Sequence, residues 1–341
     1  MRILVVRLSS LGDVVHAIPG VAALRRGYPD ARIDWLVDNR YSELVDLVTV
    51  IDRRIGISRR RWKNIPKVIR ELRNNRYDIT IDLQGLIKSS LLARVSGAPR
   101  VIGFEDPDLR ESFAGAFYTD NPQIERTGHV VEKNLALISK CFKIDRSFWE
   151  FPIADVGSDS VDGVLKCLGA DKRGSFTVLN IGAAWASKTW IPKRFGDLAR
   201  FIHRRYGMHS VVTWGTGELS LAEQVVEYSE GSAVLSPMTT IRDLVAMIRQ
   251  ASIVVSADTG PLHIAAALKT PIVGIYGPTD PRRNGPWHKK DVIVSHFDRC
   301  ECRNNRLGSS GVVIRRCLQS VSCMASISVD EVTQAITDRL G

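Results

Sequence analysis

Short apolar runs, bounded by polar turns and separated by stretches of helical spacing, recur along the whole chain. In the first half the runs are RILVV (2–6), RIDWLV (32–37), DITIDL (78–83) and RVIGF (100–104), and each reads as a buried strand. Residues 14–27, 41–48, 63–76 and 86–96 between them carry helical patterns. Periodicity fades over about 145–172, through FPIADVGSDS, and then resumes. FTVLNIG (176–182), SVVTWG (210–215), SAVLS (232–236), SIVVS (252–256) and PIVGIYG (271–277) are strand-like, with helices between them such as TIRDLVAMIRQA, where Leu244, Ile248 and Ala251 fall on one face. Such alternation predicts an α/β protein with parallel sheets covered by helices. The restart predicts two doubly wound domains, 1–155 and 156–327, followed by a helix over 328–341 with room to pack back on the first domain. A cleft between two such domains would hold a nucleotide in one half and its reaction partner in the other.

Composition narrows this picture. With 341 residues, 44% hydrophobic and 25% charged, the chain reads as soluble and globular. MRILVVRLSS enters a strand at once and meets Arg7, unlike a secretory signal, and no run approaches the roughly 20 apolar residues of a membrane span. A cytoplasmic protein is expected. The net charge of +10 favours an anionic partner, and it is concentrated in RRIGISRRRWK (53–63) and KVIRELRNNR (67–76). The plain alternative is a solvated basic helix face. One tryptophan and no aromatic platform in this stretch argue against nucleic acid.

The chemistry gathers at strand-to-helix turns. Neither G-x-G-x-x-G nor G-x-x-x-x-G-K-[ST] occurs, which disfavours a nicotinamide enzyme and a phosphate-loop NTPase. RLSSLGDVVHAIPGV (7–21) follows the first strand and places Asp13 where phosphate would be repelled. Asp13 either caps the helix or works on a group other than phosphate. One helical turn on, His16 could orient it or be a packed histidine. In the second half SADTGPLH sets Asp258, Thr259, Gly260 and His263 at a strand end and helix N-terminus, where backbone N–H groups attract phosphate. YGPTDP (276–281) forms the neighbouring turn. Lys188, in GAAWASKTWIPKRF, follows the domain's first strand and could neutralise a diphosphate or simply be solvated. DLQGLIKSS offers Gln84 and Lys88 at another such turn, while His129 and Glu132 share helical spacing and face a cleft or solvent.

SSLGDVVHAIPGV, DLQGLIKSS, SADTGPLHIAAAL and YGPTDP, in this order, resemble the heptosyltransferases of glycosyltransferase family 9 over almost the whole chain. SRRRWK (58–63), DLRESFAGAFY (108–118) and Asp13 after SSLG are most similar to the heptosyltransferase I branch. The resemblance implies a GT-B fold and an inverting transfer from ADP-L-glycero-β-D-manno-heptose to a Kdo sugar on lipid A, without an essential metal, at the anionic cytoplasmic face of the inner membrane. It implies Asp13 as general base. Lys188 would contact donor phosphate, Asp258 the heptose hydroxyls, Thr259 and Gly260 the diphosphate, with His263 supporting the loop. Arg59, Arg60, Arg61 and Arg110 would hold the acidic acceptor, with Gln84 and Lys88 positioning it. One departure stands out: Ala183 and Ala184 replace hydroxyl residues common before the donor lysine, so some phosphate hydrogen bonds would be lost, or be supplied by Ser187 or Thr189. A D-x-D pair occurs only as Asp106 and Asp108 in EDPDL, in the acceptor half.

Inverting transfer is one displacement. A sugar hydroxyl attacks C1 as the diphosphate leaves, and a base must take the hydroxyl proton from the side away from the phosphates. An acid in the first domain meets that need.

Cys141 and Cys167 read as isolated reduced thiols. Cys300, Cys302, Cys317 and Cys323 lie close enough in sequence for a structural tetrahedral thiolate site for zinc or iron, or for four reduced thiols.

Overall fold

The computed structural model describes residues 1–58, 65–106, 108–125, 128–147, 149–169, 175–183, 185–300 and 322–341. The chain divides into two compact units, Met1–Ala154 and Asp155–Gly341. The N-terminal unit runs β1 (Arg2–Val6), α1 (Leu11–Gly27), β2 (Arg32–Asp38), α2 (Ser42–Asp46), β3 (Arg53–Ile57), α3 (Ile65–Asn74), β4 (Ile79–Asp82), α4 (Ile87–Val95), β5 (Arg100–Ile102), a 3₁₀ turn (Ser112–Phe117) and α5 (Val130–Cys141). Its strands are parallel in the order β3-β2-β1-β4-β5. Helices on both faces explain why the central strands are apolar throughout and do not alternate: Ile3, Leu4, Val5 and Val6 are fully buried.

β3 corrects the sequence reading, which took its residues only as part of a basic run. Ile55 and Ile57 turn into the core while Arg53 and Arg54 stay half-exposed and pair with Glu71 and Asp46. The strand tolerates these charges because it lies at the sheet edge. α1 and α5 approach closely because Gly20 has no side chain; a Cβ there would stand 2.6 Å from Ile138 Cδ1.

The C-terminal unit runs α6 (Asp159–Cys167), β6 (Phe176–Asn180), a 3₁₀ turn (Ala186–Lys188), α7 (Pro192–Tyr206), β7 (His209–Thr213), α8 (Leu219–Tyr228), β8 (Ala233–Leu235), α9 (Ile241–Gln250), β9 (Ile253–Ala257), α10 (Gly260–Leu268), β10 (Ile272–Tyr276), α11 (Pro281–Asn284), β11 (Val292–Ser295), α12 (Cys323–Ser326) and α13 (Val329–Leu340). These strands are also parallel, in the order β11-β10-β9-β6-β7-β8.

Helix α13, which has room in the sequence reading to pack back on the first domain, contributes to the core of its own unit. Val332, Ala335 and Ile336 on its apolar face join Trp190, Phe195 and Ile202 there. Burying Val332 and Ile336 is worth about 1.5–3 kcal/mol each. Trp190 Nε1 and the Arg194 guanidinium both donate to Ile327 O, and His296 reaches Ser326 Oγ at 2.7 Å and Glu331 Oε1 at 2.8 Å. No described helix is long and apolar enough to cross a membrane.

Candidate functional site

Each sheet reverses its order of growth once, between β1 and β4 and between β6 and β9. Open parallel sheets hold ligands outside the carboxyl ends of the strands at such switch points. Both groups of motif residues lie there, and each is described within its own unit.

In the N-terminal unit β1 delivers Arg7 and Leu8 to this edge and β4 delivers Asp82 and Gln84. The Leu8 amide donates to Gln84 Oε1 at 2.8 Å, and Arg7 Nη1 donates to Leu83 O. Gln84 is buried, and its Nε2 has no hydrogen-bond partner among the described residues. Asp82 is also buried and accepts from Ser89 Oγ at 2.7 Å, the Gln84 amide at 2.8 Å and Tyr118 OH at 2.8 Å. Burial pushes its carboxyl above the usual range despite these bonds.

Asp13 sits at the third position of α1, with Ser10 at the cap. Its Oδ2 accepts from the Ser10 amide at 3.1 Å and the Ser10 hydroxyl at 3.0 Å. Its Oδ1 faces two cations, Arg7 Nη2 at 2.7 Å and Arg110 Nη2 at 3.0 Å. Arg7 is almost wholly buried, whereas the Arg110 side chain is 40% exposed. Burial alone would raise the Asp13 carboxyl, but Arg7 and then Arg110 outweigh it and hold the group well below the usual carboxylate range.

Of the other N-terminal candidates, His16 adds a smaller lowering influence on the Asp13 carboxyl. His16 is buried edge-to-face on His129, with ring centres 5.8 Å apart, and His129 stacks on Trp149 and caps α5 through Nδ1. Glu132 and Lys88 are exposed. Arg59, Arg60 and Arg61 lie outside the described residues.

In the C-terminal unit the chain leaves β6 through the loop carrying Lys188 and leaves β9 at Asp258. Lys188 Nζ lies 2.6 Å from Asp258 Oδ2 and 3.1 Å from Asp258 O, and 5.3 Å from the centre of the Trp185 ring. Asp258 Oδ1 is held by His263 Nε2 at 3.1 Å and Asn284 Nδ2 at 2.7 Å. Asp258 is buried, which opposes ionisation, yet His263 and Lys188 hold its carboxyl well below the usual range.

Thr259 caps α10 with its backbone, but its hydroxyl is turned inward to Asn180 Nδ2 (3.0 Å), Ser256 Oγ (3.2 Å) and Ala257 O (3.3 Å). Two other hydroxyls, Ser187 Oγ after β6 and Thr279 Oγ1 after β10, are buried with no partner among the described residues. Gly260 opens α10 and is followed by Pro261, which has no N–H to offer.

The sequence pattern of glycosyltransferase family 9 (heptosyltransferase) matches residues 65–309. The chain belongs to this family. Lipopolysaccharide heptosyltransferase 1 of Pseudomonas aeruginosa is 30% identical over 315 residues, covering 89% of this chain and 86% of the relative. Its counterpart in Escherichia coli K12 is 27% identical, covering 86% and 93%. The structure of E. coli heptosyltransferase WaaC with ADP-2-deoxy-2-fluoro heptose superposes with a TM-score of 0.76 at 24% identity over 99% of both chains. The fold is accordingly GT-B, and the protein is a glycosyltransferase.

In this heptosyltransferase several site residues carry no motif signal. Arg7 read only as a charge ending a strand, and Asn284 lies 26 residues beyond the aspartate it holds. Glu218 accepts from the Ala183 amide at 3.0 Å and the Gly215 amide at 2.7 Å, linking the loops after β6 and β7. A Cβ on Gly182 would meet its carboxylate at 2.4 Å, so that glycine makes room for it.

Of the four late cysteines, Cys300 and Cys323 are buried, while Cys302 and Cys317 lie outside the described residues. Among the described residues no group of three or more His, Cys, Asp or Glu is arranged to hold a metal ion.

Proposed function

We propose that the enzyme transfers L-glycero-D-manno-heptose from ADP-heptose to a Kdo sugar of the lipopolysaccharide inner core, with inversion, as a heptosyltransferase I. The observation that carries this reading is Asp13, a carboxylate at the N-terminal switch point flanked by cations. An anionic acceptor is held by such cations, and a carboxylate among them can take the proton of the attacking hydroxyl. The new O–C1 bond forms as the C1–O bond to the diphosphate breaks, with the electron pair leaving on ADP. Lys188, the unpartnered hydroxyls of Ser187 and Thr279, and the α10 N-terminus supply positive potential for that leaving charge. Asp258 holds Lys188 in place and, through His263 and Asn284, the loop on which heptose hydroxyls would rest. Glu218, at the end of the second strand of the donor unit, stands where a carboxylate can accept from ribose hydroxyls. The names of the relatives at 27–30% identity support the donor and the acceptor class.

A lipid-linked acceptor implies work at a cytoplasmic membrane surface. Ile87 and Leu91 on α4 are 40% and 46% exposed, and Phe113, just beyond Arg110, is 72% exposed. Their segments are joined, since the Arg110 and Glu111 amides donate to Gly85 O and the Ile87 amide donates to Glu111 Oε2. With Lys88 and Arg94 exposed on α4, this apolar surface with a basic flank suits an anionic bilayer.

The test is ADP release from ADP-heptose, with and without Kdo₂-lipid A, in EDTA. Acceptor-dependent release that falls about 10²–10⁴-fold in Asp13→Asn is expected. Asn leaves the buried Arg7 less compensated, so both proteins are assayed where each is folded. Release unchanged in the variant would sink the base assignment, and release only with heptosylated cores or protein hydroxyls would replace the acceptor.

A further inference from the structure

Donors or cations lie against both oxygens of the Asp13 carboxylate. Oδ2 accepts from both Ser10 donors, and Oδ1 accepts from Arg110 and forms an ion pair with Arg7, whose Nη2 lies 2.7 Å away. A sugar hydroxyl must therefore compete with groups already at each oxygen to deliver its proton. The base is freed when it loses one of them. Arg7 is buried with Nη1 on Leu83 O, and the two Ser10 donors, though exposed, are local to the helix cap. The fourth, Arg110, is 40% exposed and reaches Asp13 from 97 residues away in sequence, on the segment before the 3₁₀ turn.

We propose that Arg110 is a positioning residue that keeps Asp13 closed until the carboxylate of the acceptor sugar acid draws its guanidinium away, so that the base opens only when the acceptor is seated. This rests on the reading of Asp13 as the base. A planar guanidinium binds a free carboxylate through two parallel N–H···O bonds, whereas here one nitrogen shares an oxygen that Arg7 also holds. The exchange therefore favours the acceptor. The anion that makes it belongs to the sugar carrying the attacking hydroxyl, because Arg110 Nη2 lies only 3.0 Å from the oxygen that must receive the proton. Once Arg110 leaves, Oδ1 has an open lone pair and one fewer cation beside it, and its basicity rises. The same device protects the donor. Without acceptor, water reaching C1 meets a base still held by Arg110, so ADP-heptose is not hydrolysed wastefully to heptose and ADP.

The experiment measures ADP release from ADP-heptose without acceptor for wild type, Arg110→Ala, Arg110→Lys and the Asp13→Asn/Arg110→Ala double variant. It then measures transfer to a soluble Kdo acceptor and to its methyl ester. Arg110→Ala should raise acceptor-independent release by about threefold or more while its rate of transfer to the acid falls, and the double variant should lose the gain. Arg110→Lys, which keeps a charge but not the fork, should lie between wild type and Arg110→Ala. Wild type should prefer the acid to the ester, and Arg110→Ala should treat them alike. Unchanged or lower hydrolysis in folded Arg110→Ala and Arg110→Lys would reduce Arg110 to an acceptor contact and overturn the proposal, as would a gain that persists without Asp13. Wild-type transfer that Asp13→Asn leaves intact would instead remove the base reading itself.

Discussion

The two switch points place an aspartate in the same kind of turn and treat it differently. Asp258 is enclosed by Lys188, His263 and Asn284, from three separate elements, and is itself buried. Asp13 has one partner that is buried and one that is open to exchange. Both carboxyls are driven below the usual range by neighbouring cations, so charge state does not separate them. Access does. An aspartate locked from three directions fixes the lysine beside it, whereas one with a removable partner can accept a proton during a reaction.

Substitutions at the locked site sharpen this contrast most. Lys188→Ala removes the charge-assisted contact proposed for the leaving diphosphate, worth about 1.5–3 kcal/mol, so ADP affinity should fall roughly 10- to 150-fold by calorimetry. Asp258→Ala should weaken ADP binding less, because Lys188 is then freed toward phosphate, but should destabilise the unit by about 2–4 kcal/mol in denaturant. That figure lies below the full cost of a broken buried pair because Lys188 keeps some contact with water. An Asp258 variant as stable as wild type would show that the enclosure is not structural, and the comparison would collapse.

The contrast extends to the surface. In the N-terminal unit Ile87, Leu91 and Phe113 belong to segments stitched together beside Arg110, while in the C-terminal unit Leu219 and Tyr228 stand at opposite ends of α8 and Ile191 and Met238 on other segments. Leu91→Ser/Phe113→Ser should lower partition onto vesicles of anionic lipid by about tenfold, given roughly 1–2 kcal/mol for the two partly exposed side chains. Turnover of a soluble acceptor should be unchanged. Equal partition of variant and wild type would remove this face from the membrane reading.

The local grammar of the fold was legible because each strand–turn–helix motif is continuous in sequence. The strands around SADTG and SSLGD follow from apolar runs, and Gly85 in DLQG adopts a φ of 69°, as a turn glycine does. What escaped was set by partners far along the chain. β3 looked like a charge run because an edge strand can carry arginines, and β11, the opposite edge of the other sheet, is short. Asn284 and Arg7 earn their places only through contacts that no spacing encodes. The core that receives α13 is not encoded locally either, since an amphipathic helix shows that it has an apolar face but not what covers it.

Acid stability offers the finest probe of the two carboxylate environments. Asp13 and Asp258 have folded values below those of the unfolded chain, so their contribution is complete above about pH 4 and is lost as pH falls through the folded values. Glu331, held at about 2 by Ser328 and His296 against burial, behaves alike. Asp82 and Asp291 have the opposite sign. Burial raises their folded values, so the folded state binds protons first and gains stability as pH falls from neutrality toward the unfolded value. Stability in denaturant should therefore rise modestly as pH drops from 7 to about 5 and fall below about 4. Asp82→Asn should flatten the first limb and Asp258→Asn the second. A steady decline from pH 7 downward would mean that Asp82 is charged at no cost, and that Arg7, which interacts electrostatically with both, compensates Asp82 as well as Asp13.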